Sequence, residues 1–404
     1  MSVSPEKQMF KCFVCGTAGG PIKFVSLIKN QPYVLALEEL ANKVGVDFKS
    51  KKNVKTYSEK QLRLFEINKE AMNFFQYSLS IEVGDKALEY VKSRGLSQEI
   101  IDNFSIGYAP SSGLKDFLIK KGYDEADLIN LSLINSSGND FFKDRLIFTI
   151  KDEDNNIVGF SGRDLSNKAQ AKYINSSESE IFKKSTIIYN FSQVKNFLNK
   201  DKIIYINEGF MDVIAMSRAG IKNSVAIMGT SLTKEHLKTL SNFKIRLFLD
   251  SDKAGINATI KSIKILLENK ISVEVVQNNT ALDPDEILDK KGVEELIKIS
   301  NNLISGIEFI FNMHKKQYGN TNIANVKKFV KTFKKYLILL DPIEQSFYIK
   351  KACKYLSIDE KSFSIPRNKN ISSVTQQLQD NNKLLDTTKI KKPFKIDSID
   401  DKHN

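Results

Sequence analysis

Three short acidic clusters carry the chemistry this sequence offers: Glu208 and Asp212 in "INEGFMDVIAM", Asp250 and Asp252 in "FLDSDKAGINA", and Asp283 and Asp285 in "LDPDEIL". Each follows an apolar, strand-like run. Carboxylates gathered in one place repel one another, and the stable remedies are bound hard cations or raised pKa values. Mg2+ takes oxygen ligands, keeps several waters and is commonly shared between protein carboxylates and a substrate phosphate. Taken singly, each cluster has a plainer reading. An Asp at a strand end caps a helix, Asp212 is a first-turn residue favoured by the helix dipole, and Asp283-Pro284-Asp285 is a turn and helix start. Recurrence of all three at equivalent places favours the metal. Positions two apart share a side of an extended chain, so Asp250 and Asp252 converge if the backbone stays extended through Ser251, with Gly255 and the incoming helix marking a later turn.

The elements that must position these residues alternate regularly. "KIIYIN", "SVAIMG", "KIRLFLD" and "ISVEVVQ" are four strand-like runs separated by helix-like segments, which predicts a mostly parallel sheet covered by helices. Ligands of such sheets lie beyond the carboxyl ends of the strands, and parallel pairing brings all three clusters to one edge. Upstream, Glu59 to about Asn130 has helical periodicity, and "RLIFTI" and "NIVGFSG" form a hairpin turning at "KDEDN". Nearer the start, "KCFVCGTAGG" precedes a helix around Tyr33 to Val44, and the basic "FKSKKNVKTY" reads as a linker. Residues 294 to about 356 return to helix, and the polar stretch from Pro366 predicts a disordered tail.

With 61 Lys and Arg against 48 Asp and Glu, the 404-residue chain has a formal charge of +13, which suits a polyanion such as nucleic acid. Abundant Lys, Asn and Ile and the absence of Trp make part of that charge background composition. Three cysteines, Cys12, Cys15 and Cys353, are too few for a disulfide framework and point to a reducing compartment. No apolar run reaches membrane-spanning length and the amino terminus lacks a signal-peptide core, so the expectation is a cytoplasmic protein with no membrane partner.

"EGFMDVIAM", "MGTSLT" and "DSDKAGINA" resemble the Toprim signature, and "DPDEIL" resembles its last element in bacterial replicative primases of the DnaG type. The resemblance extends upstream through "RGLSQEIIDNFSIGYAP", "DRLIFTIKDEDNNIVGFSGRDL" and "KYINSSESEIFKKSTIIYN", and runs from about Val3 to Phe363. These upstream blocks separate primases from the topoisomerases and nucleases that share Toprim. The resemblance implies an α/β fold: a Toprim, Rossmann-like, mostly parallel sheet with a basic α+β amino-terminal subdomain and a helical carboxyl-terminal one. The divisions it implies are a partial zinc-ribbon-like segment at 1–50, a linker at 51–58, the basic part of the polymerase core at 59–200, Toprim at 201–292, a helical subdomain at 293–365 and the tail at 366–404.

By the same resemblance the activity is template-directed synthesis of short RNA primers on single-stranded DNA from ribonucleoside triphosphates, with Mg2+ or Mn2+. Glu208, Asp212, Asp250, Asp252, Asp283 and Asp285 form the metal site, Glu208 being either a ligand neighbour or a proton acceptor. Arg163, Lys172 and Lys184 match the family's basic positions, and Arg145 is a further candidate for nucleotide or DNA. A guanidinium fork suits phosphate, and Arg163 follows a glycine. Phe160 and Tyr173 offer stacking faces or pack in the core. Cys12 and Cys15 match only the second half of the family's zinc ribbon, and structural zinc wants four ligands. His236, His314 and His403 lie far along the chain without ligand-pair spacing. The expectation is therefore an incomplete zinc site, from an amino-terminal truncation or a misassigned start. The family's docking domain for the replicative helicase is not evident after Pro366. Ser251 replaces the glycine usual between the two aspartates. The rival readings are a non-catalytic remnant that binds single-stranded DNA and a Toprim nuclease or topoisomerase.

Overall fold

The structure, a computed structural model, describes residues 1–12, 17–29, 33–46, 56–165, 171–195, 197, 202–228, 231–320 and 322–363. The expected tail at 366–404, residues 51–55 of the expected linker, Cys15 and His403 lie outside them. Contacts divide the chain into two units, the first comprising residues 1–197 and 208–230 and the second 198–207 and 231–404. Within the stretch 201–292 expected as Toprim, residues 208–230 cluster with the first unit and the rest with the second.

The first unit begins with a small antiparallel sheet of β1 (Ser2–Ser4), β2 (Met9–Lys11) and β3 (Ala18–Gly19), followed by helices Pro21–Ile28 and Tyr33–Lys43. Helix Glu59–Ser80 starts at a capping box, in which the Ser58 hydroxyl accepts from the Gln61 amide and the Gln61 side chain accepts from Ser58 N–H. It packs on a four-stranded antiparallel sheet, β4 (Ile106–Ala109), β5 (Arg145–Lys151), β6 (Ile157–Asp164) and β7 (Tyr173–Asn175), which neighbour one another in that order. The expected hairpin is β5 and β6. A Cβ at Gly107 of β4 would stand 2.6 Å from the Cβ of Phe75, so only glycine lets the strand lie this close to the helix.

Alternation along β5 sends Ile147 into one core with Leu64, Ile67, Phe75 and Phe160, and Leu146 and Phe148 into another with Phe210, Val213 and Ile214. A register shift in the β5–β6 pairing beside Val158 turns that residue to the second core, opposite to Phe160 two residues on. Burying each such side chain contributes about 1.5–3 kcal/mol.

The chain enters the second unit for β8 (Ile203–Asn207), returns to the first for helix Phe210–Arg218 and β9 (Ser224–Ala226), and then stays in the second. There β8, β10 (Lys244–Leu247) and β11 (Val273–Val276) pair in parallel, as expected, and β12 (Leu303–Ser305) closes the far edge antiparallel to β11. β12 falls within the stretch read as helical; three residues are too few for alternation to declare itself.

A polar row fixes the register. Arg246, opposite both Tyr205 and Glu274, donates from Nη1 to Tyr205 Oη at 2.6 Å and from Nε to Glu274 Oε2 at 3.0 Å, and Lys244 pairs with Glu274 at 2.8 Å. Partial burial alone pushes the Glu274 carboxyl up, but the bonds to Lys244 and Arg246 outweigh it and hold the group below its ordinary value. Helices Gly306–Tyr318, Ile323–Leu337 and Pro342–Leu356 follow, and their aromatic core includes Phe311, Phe329, Phe333 and His314. Among the described residues no helix is long and apolar enough to cross a membrane.

Candidate active site

The six carboxylates are divided between the units. Glu208 and Asp212 belong to the first, and Asp250, Asp252, Asp283 and Asp285 to the second.

In the second unit, Leu247 of β10 lies opposite both Ile206 of β8 and Val275 of β11, so the carboxyl ends of the three strands are level. Beyond β10, buried Phe248 and Leu249 carry the chain to Asp250. Asp252 is extended (φ −77°, ψ 176°) and caps helix Lys253–Glu268, its Oδ1 accepting from Gly255 N–H at 2.7 Å. The backbone is extended at Asp252 and the helix begins one residue after it, so the chain turns only after the Asp250–Asp252 pair. A Cβ at Gly255 would lie 2.1 Å from Asp250 O and 2.9 Å from Asp250 Cα, so a side chain there would displace Asp250. Asp283 repeats the device: Oδ1 accepts from Glu286 N–H at 2.7 Å, Pro284 occupies the first turn, and Asp285 is buried.

In the first unit, Asp212 is buried in the first turn of helix Phe210–Arg218 and its Oδ2 accepts from Gly209 N–H at 3.0 Å. Phe210 stacks on Phe148 at 5.4 Å and meets Tyr173 at 6.2 Å and Tyr189 at 4.6 Å. This ring cluster anchors the helix that follows Glu208 to the face of the β4–β7 sheet that carries Arg163. On that face Leu146, Arg163 and Tyr173 stand opposite one another in register. The Arg163 guanidinium lies 5.0 Å from the Tyr90 ring centroid and 5.8 Å from that of Tyr173, and Nη1 donates to Tyr173 Oη at 3.3 Å.

The other basic candidates differ in kind. Arg145 is buried, and its Nη1 and Nη2 donate to the backbone carbonyls of Gly162, Ala171 and Lys172, which ties the approach to β7 back to β5. Lys172 is exposed and Lys184 half-buried. Phe160 is fully buried, in the core that includes Phe75.

Among the described residues no group of three or more His, Cys, Asp or Glu side chains lies close enough to hold a metal ion. The caps explain part of this, since they turn Asp252, Asp283 and Asp212 onto the amides beside them. The donor chemistry still fits a hard divalent cation. Every candidate ligand is a carboxylate oxygen, and the caps of Asp252 and Asp283 each occupy Oδ1 and leave Oδ2. Among the described residues no set of zinc ligands gathers around Cys12. Cys12 is half-buried with a free thiol, and the described histidines are engaged elsewhere: His236 caps its helix with Thr233, and His314 packs among Phe329, Phe333 and Tyr336.

Sequence reasoning missed Tyr90, Phe210 as an anchor, and the demand for glycine at 255. Only Gly255 had left a signal, as a glycine inside a helical pattern. A cavity of about 340 Å³ in the first unit, lined by residues including Asn103, Phe104, Gln193, Arg218 and Lys222, has none of the six carboxylates in its wall.

Residues 74–195 match the family described as DNA primase catalytic core, N-terminal domain, residues 205–288 match the Toprim-like family, and residues 1–56 match the CHC2 zinc finger. The chain is 37% identical over 376 residues to the DNA primase of Clostridium acetobutylicum, covering 89% of this chain and 61% of that protein. It is 33% identical over 347 residues to that of Borreliella burgdorferi, covering 82% and 66%. The fold is similar to the zinc-binding and RNA polymerase domains of Aquifex aeolicus primase, with TM-score 0.65 and 30% identity over 89% of this chain and 88% of that one. It is also similar to a DnaG primase catalytic domain bound to single-stranded DNA, with TM-score 0.67 and 25% identity over 76% and 99%. The chain spans about three-fifths of the length of the first curated relatives it matches. On this sequence and fold, with the Toprim sheet joined to the primase-specific upstream blocks, the chain belongs to the family of DnaG-type DNA primases.

Proposed function

We propose that this chain synthesises short RNA primers on a single-stranded DNA template from ribonucleoside triphosphates, in the cytoplasm, with Mg2+ or Mn2+. The observation that carries the reading is the level ends of parallel β8, β10 and β11, each followed by one acidic segment: Glu208 directly after β8, Asp250 after two residues beyond β10 and Asp283 after a loop of six residues beyond β11. Asp250, Asp252, Asp283 and Asp285, with Glu208 and Asp212, would hold the ions. Divalent ions held by such a set would lower the pKa of an attacking 3′-hydroxyl and neutralise the charge on departing pyrophosphate.

The protein's own groups do the positioning. The caps hold Asp252 and Asp283 against rotation, so their outer oxygens are preorganised before any ligand arrives. Arg163, held between Tyr90 and Tyr173, presents its fork at a fixed angle to phosphate, and exposed Lys172 and half-buried Lys184 add positive charge. Arg145 acts through the backbone it pins and not through a phosphate.

The test is ribonucleotide incorporation on single-stranded DNA with and without divalent metal, in the wild type and in Asp250→Ala. Metal-dependent synthesis that disappears in the variant, with DNA binding retained, supports the reading. DNA binding with no synthesis makes the chain a binding protein, and strand cleavage makes it a nuclease.

A further inference from the structure

Helix Ile323–Leu337 carries five lysines, Lys327, Lys328, Lys331, Lys334 and Lys335, and no acidic residue. At about 100° per residue the five fall within an arc of about 120°. Buried Val326, Phe329, Phe333 and Leu337 occupy the opposite arc and fix the lysine face outward. Among the described residues none of the five forms an ion pair, and the helix itself offers no carboxylate to any of them.

Helix physics does not account for the row. The macrodipole favours Lys334 and Lys335 in the last turn but not Lys327, Lys328 or Lys331. Lys327 with Lys331, and Lys331 with Lys335, are like-charge neighbours one turn apart, which weakens the helix. A polyanion laid along the face reverses that penalty. From Lys327 to Lys335 the helix rises about 12 Å, the length over which one nucleic-acid strand presents roughly three or four phosphates.

We propose that this lysine face grips the phosphodiester backbone of the single-stranded template, and so adds a second, sequence-independent hold to that of the polymerase core. The inference rests on the primase reading only for the identity of the strand.

The test uses the full chain carrying K327Q/K331Q/K335Q, with K264Q/K290Q/K298Q as a control of equal charge loss. Binding to a single-stranded DNA and to an RNA–DNA duplex is followed over a salt series. Each lost phosphate contact lowers the slope of log K against log salt by about 0.7 on a single strand and about 0.9 on a duplex. The triple variant should therefore lose about 2 from the single-strand slope, whereas a loss of about 2.7 confined to the duplex slope assigns the face to the product duplex and overturns the template assignment. The control should lose little from either, and K327R/K331R/K335R should restore the wild-type slope.

Equal slopes in the triple variant and the control overturn the proposal. So does a defect confined to binding an acidic protein partner. Failure of the primase reading is distinguishable: it leaves wild-type synthesis absent while the slope difference persists.

Discussion

Asp252 tests whether capping and metal binding are carried by one side chain. Its Oδ1 accepts from Gly255 N–H at 2.7 Å, and this bond satisfies an amide that the first turn of helix Lys253–Glu268 otherwise leaves unpaired. Asp252→Ala removes both the cap and the charge, whereas Asp252→Asn removes the charge alone, because Asn caps about as well as Asp. Loss of the cap costs about 1 kcal/mol, which for a chain of this size lowers Tm by only about 2 °C. The Asn variant should melt with the wild type. Activity should behave differently: both variants should lose on the order of 100-fold in primer synthesis, the scale seen when one preorganised electrostatic group is removed, and part of the loss should return as Mg2+ or Mn2+ is raised. The assays are thermal melting by circular dichroism and incorporation of labelled ribonucleotides over a metal series. If Asp252→Asn makes primers at the wild-type rate at every metal concentration, Asp252 is a helix cap and nothing more, and the carboxylate site loses its central member.

Gly255→Ala normally gains about 1 kcal/mol of helix propensity, but here the new methyl would stand 2.1 Å from Asp250 O, so a net loss of about 1–3 kcal/mol is expected from overpacking together with loss of synthesis; a stable, active variant refutes the close approach. Arg145→Ala should unfold at lower temperature because the carbonyls of Gly162, Ala171 and Lys172 lose the guanidinium, Lys172 O keeping its bond from Asp164 N–H, while Arg163→Ala should keep its melting temperature and raise KM for nucleotide; equal stability losses in the two would remove the distinction drawn between them. His314 is pushed below its ordinary pKa of 6.5 by burial, against the opposing effect of the bond between Nδ1 and Ile310 O at 2.8 Å. The unfolded chain then binds the proton more readily than the folded one, so stability is fully present above about pH 6.5 and falls as pH drops from there towards the lower folded value. His314→Phe should flatten melting temperature against pH in that window, and an unchanged slope would assign the acid sensitivity to other groups.

The strands were legible because β8 is buried along its whole length and a parallel sheet's strands read as unbroken apolar runs. The acidic clusters were legible because each stands where a strand stops and a helix starts, a boundary with its own residue preferences. Arg145 was not. In the sequence its charge looks like that of Arg163, which lies on the adjacent strand one register position away, and only the pleat decides that one guanidinium turns to backbone carbonyls and the other to aromatic rings. Tyr90 could not be found at all, since its place beside Arg163 is made by tertiary packing from a distant helix.

Capping and metal binding first stood as rival readings of the same aspartates. The geometry removes the rivalry for Asp252 and Asp283. A carboxylate has two oxygens; the cap takes Oδ1 in each case, and the bond that starts the helix also fixes where Oδ2 can be. On the proposed reading, a side chain pinned in this way would need no further ordering to take a cation, so less conformational entropy would be lost on binding than from a free aspartate. Gly255 belongs to the same arrangement, because the close pass it permits sets Asp250 against the turn that Asp252 begins. Local helix chemistry therefore supplies the rigidity that a charge-stabilising site requires.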